Sequence, residues 1–264
     1  PRIGYIGRNS QHFRDYPNIK WISCEGSDST LDLLDSYVIN SSLASKDSEQ
    51  SRILLELVHR NIPAFHERAL HEQLSGRIDL TYLSDEELQG FQPPRLYFVI
   101  KRFGELCVIL AMAPFLLVLT SLISAVIKLT SRGTVFYKQA RIGLHGKPFF
   151  IFKFRTMHDE FDSNDDTQFA KIKDKRITWA GRWLRRFRLD ELPQFWNILR
   201  GDMSLIGPRP EQPLFVERFI KQIPYYDFRH TIRPGITGWA QVRYGYAASE
   251  SQTRDKLEYD LFYI

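Results

Sequence analysis

Two carboxylates stand side by side in the stretch RRFRLDELPQFWNILRGDMSLIGPRP, residues 185–210. Asp190 and Glu191 follow Arg185, Arg186 and Arg188 and precede Pro193, a favourable first-turn residue. Leu192, Phe195, Trp196 and Leu199 then fall on one face at helical spacing, and Gly201 is placed to end the helix. Adjacent carboxylates among guanidiniums can serve phosphoryl chemistry, one attacking phosphorus and the other holding a divalent ion. Acids at a helix start are also favoured by the helix dipole alone, so position leaves both readings open. Gly207-Pro208-Arg209-Pro210 adds a rigid turn presenting one guanidinium, a shape suited to bidentate phosphate binding.

Other elements must bring cations to that pair. Val135–Lys138 and Phe149–Arg155 read as a hairpin around Gly143–Pro148. In its second strand Phe150, Phe152 and Phe154 share one face, while Ile151, Lys153 and Arg155 share the other. Such a strand can hold a phosphate against a core, or simply carry one solvated face. Asp159–Asp166 reads as an acidic loop, and Lys171–Arg188 as a basic, aromatic stretch. Within that stretch Trp179, Trp183 and Phe187 recur every four residues, flanked by Arg182, Arg185 and Arg186. That spacing predicts either an interfacial helix with aromatics at lipid headgroup level or a helix docking its stripe on the core.

The frame around these residues divides in two. Residues 1–100 carry a net charge of −4 and residues 101–264 one of +9, which points to two domains, the basic one facing an anionic partner. Arg2–Ile6, Tyr37–Ile39 and Ile62–Phe65 read as strands, and Ile53–His59 as an amphipathic helix. This rhythm predicts a small α/β domain that ends near Pro93–Pro94. Gly4 and Gly7 form only a G-x-x-G, more readily a turn than a dinucleotide fingerprint. From Leu106 to Ile127 run 22 residues without a charge, enough to cross a bilayer core. Basic residues flank both ends of the run (Lys101 and Arg102, then Lys128 and Arg132), and Pro114 lies inside it. A helix that enters the membrane, breaks at Pro114 and returns to the same face satisfies these features; a buried core helix is the alternative. Cys24 and Cys107 lack metal-ligand spacing, which fits a reducing compartment. Pro1 and the unpunctuated Tyr263–Ile264 end are expected to be cut points in a longer chain.

The segments KRFGELC, GTVFYKQARIG, FKFRTM, RLDELPQFWNILRGDMSLIGPRP, RPGITGWAQV and LEYDLFYI occur in one order from Lys101 to the C-terminus. Together they resemble the bacterial sugar transferase family, the monotopic phosphoglycosyl transferases. ALHEQLSGRI is similar to the α/β domain of the family's longer members. The resemblance implies an α+β fold: a Rossmann-like, nucleotide-binding-like accessory domain over 1–97, and a catalytic domain over 98–264 with interfacial amphipathic helices. The membrane segment falls at about 101–130 and is re-entrant. Its break in the family would fall near Leu117–Val118, roughly one turn after Pro114.

The resemblance also implies the reaction. Asp190 attacks the β-phosphate of a UDP-sugar, UMP leaves, and undecaprenyl phosphate takes the phosphosugar from the aspartyl intermediate. Glu191, with Asp190, binds Mg²⁺, and Mn²⁺ is a candidate substitute. Lys153, Arg155, Arg185 and Arg209 surround the phosphates, and Arg233, Trp239 and Gln241 shape the nucleotide-sugar pocket. The place implied is the cytoplasmic face of the bacterial inner membrane, in contact with its lipids, at the first membrane step of exopolysaccharide, capsule or O-antigen synthesis. A homodimer is an open expectation, and nucleic acid is not an expected partner. A non-catalytic membrane scaffold and a basic nucleic-acid binder are the competing readings. The intact Asp190, Glu191 and Arg209 set speaks against the first, and the uncharged run against the second.

Overall fold

A computed structural model describes residues 1–5, 16–23, 34–39, 55–81, 83, 94–157, 176–245 and 249–264. Gly7, Cys24, the acidic stretch 159–166 and Lys171 lie outside the described residues, as does part of the segment expected at 53–59. The chain forms two compact units, Pro1–Ile78 and Asp79–Ile264. The sequence pattern puts the boundary later, near Pro93–Pro94, and the resemblance puts it at residue 97. Leu80 and Leu83 belong to the second unit, where both are buried and the Tyr225 hydroxyl donates to the Leu83 carbonyl at 3.4 Å.

The first unit holds a parallel sheet of β1 (Arg2–Tyr5), β2 (Lys20–Ser23), β3 (Ser36–Ile39) and β4 (Ala64–His66), in the order β2-β1-β3-β4. Among the described residues, helical segments pack on both faces of this sheet. Successive residues of β3 show this. Tyr37 packs with Leu57 of the helical segment 55–59, while Val38 packs with Ile3 and with Leu70 of helix α1 (Glu67–Ser75). The strand at Lys20–Ser23 is not anticipated by the sequence pattern. Its burial alternates too weakly to leave a period-two signal, with Trp21 and Ile22 both half-buried.

The second unit begins with α2 (Arg95–Thr130), which starts directly after Pro94. The expected break at Pro114 is not present: α2 runs unbroken through it. One proline removes one backbone hydrogen bond, and a helix of 36 residues packed at both ends tolerates that loss. Its buried residues Glu105, Ile109, Leu116, Ile123 and Ile127 repeat every four or seven positions and form a single stripe. Ile109 packs with Ile151, Ile198 and Met203, whereas Ile123 and Ile127 pack with Phe154 and Leu184. From Glu105 to Ile127 the helix therefore lies along one domain for about 33 Å at 1.5 Å per residue. Its most apolar window is only 17% buried, so it is not the core helix of a soluble domain. Phe103, Leu110, Phe115, Leu117, Val118 and Leu122 all point outward.

β5 (Phe136–Ile142) and β6 (Pro148–Phe154) form the expected antiparallel hairpin, with Tyr137 opposite Lys153. α3 (Trp179–Arg186) lies against its end. Gly181 makes that approach possible: a Cβ there would sit 2.1 Å from the Thr156 carbonyl oxygen. Thr178 caps the helix by accepting from Gly181 N at 2.8 Å. Trp179, Trp183 and Phe187 are 63%, 50% and 59% exposed, so the aromatic stripe faces outward and does not dock on the core. The remainder comprises α4 (Gln194–Arg200), β7 (Ser204–Ile206), α5 (Pro213–Gln222), β8 (Gly235–Thr237), α6 (Trp239–Arg243) and α7 (Glu250–Tyr263). β7 and β8 pair in parallel and bring the GPRP turn against the RPGITG loop.

Candidate active site

Arg188 adopts a left-handed backbone (φ 54, ψ 24) that reverses the chain between α3 and α4. Leu189–Glu191 then forms one 3₁₀ turn. Successive side chains on such a turn diverge by about 120°, so the two carboxylates enter different surroundings. Glu191 is buried at 6% exposure, while Asp190 is half-exposed.

Glu191 is held by cations from two other elements. Its Oε1 accepts from Arg209 Nη2 at 2.7 Å and from Lys153 Nζ at 3.2 Å, and Arg188 Nη1 lies 3.9 Å from Oε2. Burial opposes its charge, but Arg209 and Lys153 outweigh that and hold its pKa down at about 2. Lys153 is pushed below the usual lysine range, chiefly by burial, with Glu191 resisting. Asp190 forms no ion pair within 4 Å among the described residues. Burial raises its pKa; Lys153 counters this, Glu191 adds to it, and Arg185 counters it again. One carboxylate is thus a fixed anion between two cations, and its neighbour is an unpaired, partly accessible oxygen donor.

The elements around the pair are fastened by buried polar groups. Asn197 of α4 is fully buried, and its Oδ1 accepts from Phe152 N at 3.1 Å while Nδ2 donates to the Phe150 carbonyl at 2.7 Å. Asn197 therefore sets β6, and with it Lys153, against the helix that follows Glu191. Replacing Asn197 by Leu is expected to cost about 3 kcal/mol, because it strands a strand N–H and a carbonyl away from water. Urea melts would read this as a lower midpoint. Glu105 of α2 accepts from the Ser204 hydroxyl and from Leu205 N at 3.0 Å, tying the apolar helix to β7. Neither residue carries a distinguishing signal in the sequence. A lone Asn on a short helix and an acid before an apolar run each read as ordinary surface positions.

The other expected site residues are distributed unevenly. Arg185 Nε donates to Thr156 Oγ1 at 2.8 Å and lies close enough to act on Asp190. Arg155 stands apart from the pair: it is buried and its Nη2 donates to Ser131 Oγ at 2.9 Å, just beyond the end of α2. Arg233 Nε donates to the Gly201 carbonyl at 2.9 Å. Trp239 stacks on Phe262 with ring centroids 6.3 Å apart, and Arg243 lies 5.4 Å over its ring. Gln241 Oε1 is buried and has no hydrogen-bond partner among the described residues. No three His, Cys, Asp or Glu side chains gather into a metal cage among the described residues.

This architecture has relatives. The chain belongs to the bacterial sugar transferase family, whose family model matches residues 96–264. It is 42% identical over 216 residues to a UDP-N-acetylgalactosamine-undecaprenyl-phosphate N-acetylgalactosaminephosphotransferase of Aeromonas hydrophila, a match that covers 82% of this chain and 51% of that protein. A UDP-glucose:undecaprenyl-phosphate glucose-1-phosphate transferase of Xanthomonas campestris pv. campestris is 42% identical over 174 residues, 64% of this chain and 35% of its own length. An enzyme of the same name from Klebsiella pneumoniae is 37% identical over 199 residues, 73% of this chain and 40% of its own length. The chain thus spans about half or less of the length of these relatives.

Proposed function

We propose that this chain transfers a sugar-1-phosphate from a UDP-sugar to undecaprenyl phosphate through a covalent intermediate on Asp190. The observation that carries the reading is the unequal pair: Glu191 locked between Lys153 and Arg209, and Asp190 unpaired beside it. An Asp190 carboxylate oxygen attacks the β-phosphorus. The bond from that phosphorus to the oxygen bridging the α-phosphate breaks, and UMP departs with the electron pair. A phosphate oxygen of the polyprenyl phosphate then attacks the same phosphorus and releases Asp190 as carboxylate. Lys153, Arg185 and Arg209 offset the charge spread over the phosphate oxygens, which is the main demand of phosphoryl transfer.

Two carboxylates, with no third gathered beside them among the described residues, suit Mg²⁺, which commonly uses one or two carboxylates together with substrate phosphates. Asp190 and the Glu191 Oε2 side would hold it, and when bound it would neutralise diphosphate charge. The relatives act on different sugars by name, so the donor is proposed only as a UDP-hexose or its N-acetylated form. Incubation with a panel of such donors and undecaprenyl phosphate should release UMP and leave a phosphosugar on the Asp190 peptide by mass spectrometry. UMP release without an adduct on that peptide would move the nucleophile elsewhere.

The proposed place of action is supported by α2. A spanning helix must leave its domain to cross the lipid, whereas α2 keeps contact with one domain over a length comparable to the bilayer core. We read it as lying at the cytoplasmic face of the bacterial inner membrane with both flanks on one side and its outward apolar face in lipid, beside Trp179, Trp183 and Phe187. Cysteines placed near Lys101 and Arg132, in a chain with Cys24 and Cys107 replaced, should label from the cytoplasmic side alone. Labelling of the two from opposite sides would sink the one-sided arrangement. For the first unit, the strand order β2-β1-β3-β4 changes direction between β1 and β3, the kind of switch point at which doubly wound folds bind ligands. A Rossmann-like accessory role is our reading of it.

A further inference from the structure

Arg209 sits between two prolines, and this creates a positioning problem. Pro208 and Pro210 have no N–H, so the turn has few backbone donors with which to organise itself. Its carbonyls are the handles left for tertiary groups. Four consecutive carbonyls are in fact held: Pro208 O by Gly235 N at 2.9 Å, Arg209 O by Arg229 Nη2 at 2.9 Å, Pro210 O by Arg141 Nη1 at 3.4 Å, and Glu211 O by Ile142 N at 3.0 Å.

The donor to Arg209 itself is a buried side chain. Arg229, on the short turn Tyr226–His230, donates Nη2 to Asp260 Oδ2 of α7 at 2.9 Å and Nη1 to the Tyr226 hydroxyl at 2.6 Å. The Arg229 and Asp260 side chains are 3% and 2% exposed. Beside them Lys256 Nζ donates to Glu211 Oε1 at 2.8 Å, fixing the residue after the turn. An apolar pair of similar volume can hold packed elements together as well as a buried ion pair does. It cannot donate to a carbonyl.

We infer that Arg229, held by Asp260 and Tyr226, is a positioning residue that aims the Arg209 guanidinium at Glu191 and the donor's phosphates. It touches no substrate; it acts through the Arg209 backbone. The inference rests on the proposed role of Arg209 at the phosphates.

The test is a double-mutant cycle read by UMP release at saturating UDP-sugar, with KM and melting temperature measured alongside. Arg229→Met with Asp260→Leu replaces the ion pair by apolar volume. The expected result is a folded protein whose kcat falls by about 100-fold, the loss a misplacement of roughly 1 Å brings. In an Arg209→Met background the same pair of changes should cost less than about twofold, because the group through which it acts is gone. Equal losses in both backgrounds, or a folded pair variant with the parent kcat, would overturn the inference while leaving the proposed reaction standing. A wild-type rate for Arg209→Met alone would instead overturn the phosphate role of Arg209, and this inference with it. If the pair variant does not fold, Tyr226→Phe removes only the hydroxyl that steadies Arg229. It should lower kcat several-fold in the parent and leave the Arg209→Met rate unchanged; additive losses there again count against the positioning role.

Discussion

Asp190→Asn is expected to lower UMP release by at least about 1000-fold, a loss typical of removing a covalent nucleophile, while the protein melts at the same temperature or higher. The stability half follows from linkage. Burial raises the folded pKa of Asp190 above its ordinary value, with Lys153 and Arg185 only partly countering. A group with a raised folded pKa contributes stability below its unfolded pKa and loses that contribution as pH rises through the folded value. At neutral pH the ionised carboxylate is therefore a burden on the fold, and a neutral amide of the same shape relieves it. The activity half carries a pH signature of its own. Attack requires the carboxylate form, so the acid limb of the rate should sit above the usual aspartate range, and it should be set by Asp190. Glu191 stays ionised down to about 2 and contributes nothing to that limb. Thermal melts with a UMP assay across pH check both halves. An Asn variant that is inactive because it is unfolded, or folded and still active, would each contradict the assignment.

The contrast between the two acids shows what the sequence could and could not reveal. DELPQFW announced a turn and a helix, because Pro193 and the apolar face at Leu192, Phe195 and Leu199 are local signals. It could not say that the turn is 3₁₀ and sends Glu191 inward, since that depends on the left-handed Arg188 and on cations from β6 and the GPRP turn. Strand alternation put Lys153 opposite the phenylalanines but did not say what it meets, which is Glu191. Arg155 is buried as Ile151 is, and its N–H carries the hairpin pairing on to the Val135 carbonyl, but its guanidinium donates to Ser131, a partner that alternation cannot specify. Alternation also put three phenylalanines on one face, yet Phe154 is buried against Ile123, Ile127 and Leu184 while Phe150 is 59% exposed. The run Leu106–Ile127 gave the apolar helix outright. Pro114 promised a break that side-chain packing along the whole helix overrides. Least legible were Arg229, Lys256 and Asp260. A helix such as α7, with charges on every side, shows no polar face, and nothing in its spacing marks which charges are buried. Their partners are supplied by distant chain segments, and only the fold brings them together.

Glu191→Gln is expected to do what Asp190→Asn does not: unfold the site as well as silence it. The folded pKa of Glu191 is about 2, well below the ordinary 4.5, and the side chain is almost wholly buried. A depressed carboxylate contributes stability that is present above its unfolded pKa and is lost as pH falls through the folded value. The gap amounts to about 3 kcal/mol at neutral pH, and an amide forfeits it. The amide also leaves Lys153 and Arg209 facing each other without an anion between them. Burial already pulls Lys153 below its usual range, and Glu191 is the main force resisting that. Without it the lysine gives up its proton at lower pH, so the alkaline limb of any residual activity should move toward neutrality. Turnover should fall by at least about 100-fold, because two phosphate-facing cations lose their placement at once. Stability against pH separates the charge from the shape. A protonated Glu191 and the glutamine amide of the variant are nearly isosteric, so wild type and variant should differ fully at pH 7, draw together as pH falls below the ordinary glutamate range, and meet near the folded pKa of about 2. Urea melts along that series measure the difference directly. Two curves that stay parallel over the whole acid range would mean that packing, and not the carboxylate charge between Lys153 and Arg209, holds this turn in place.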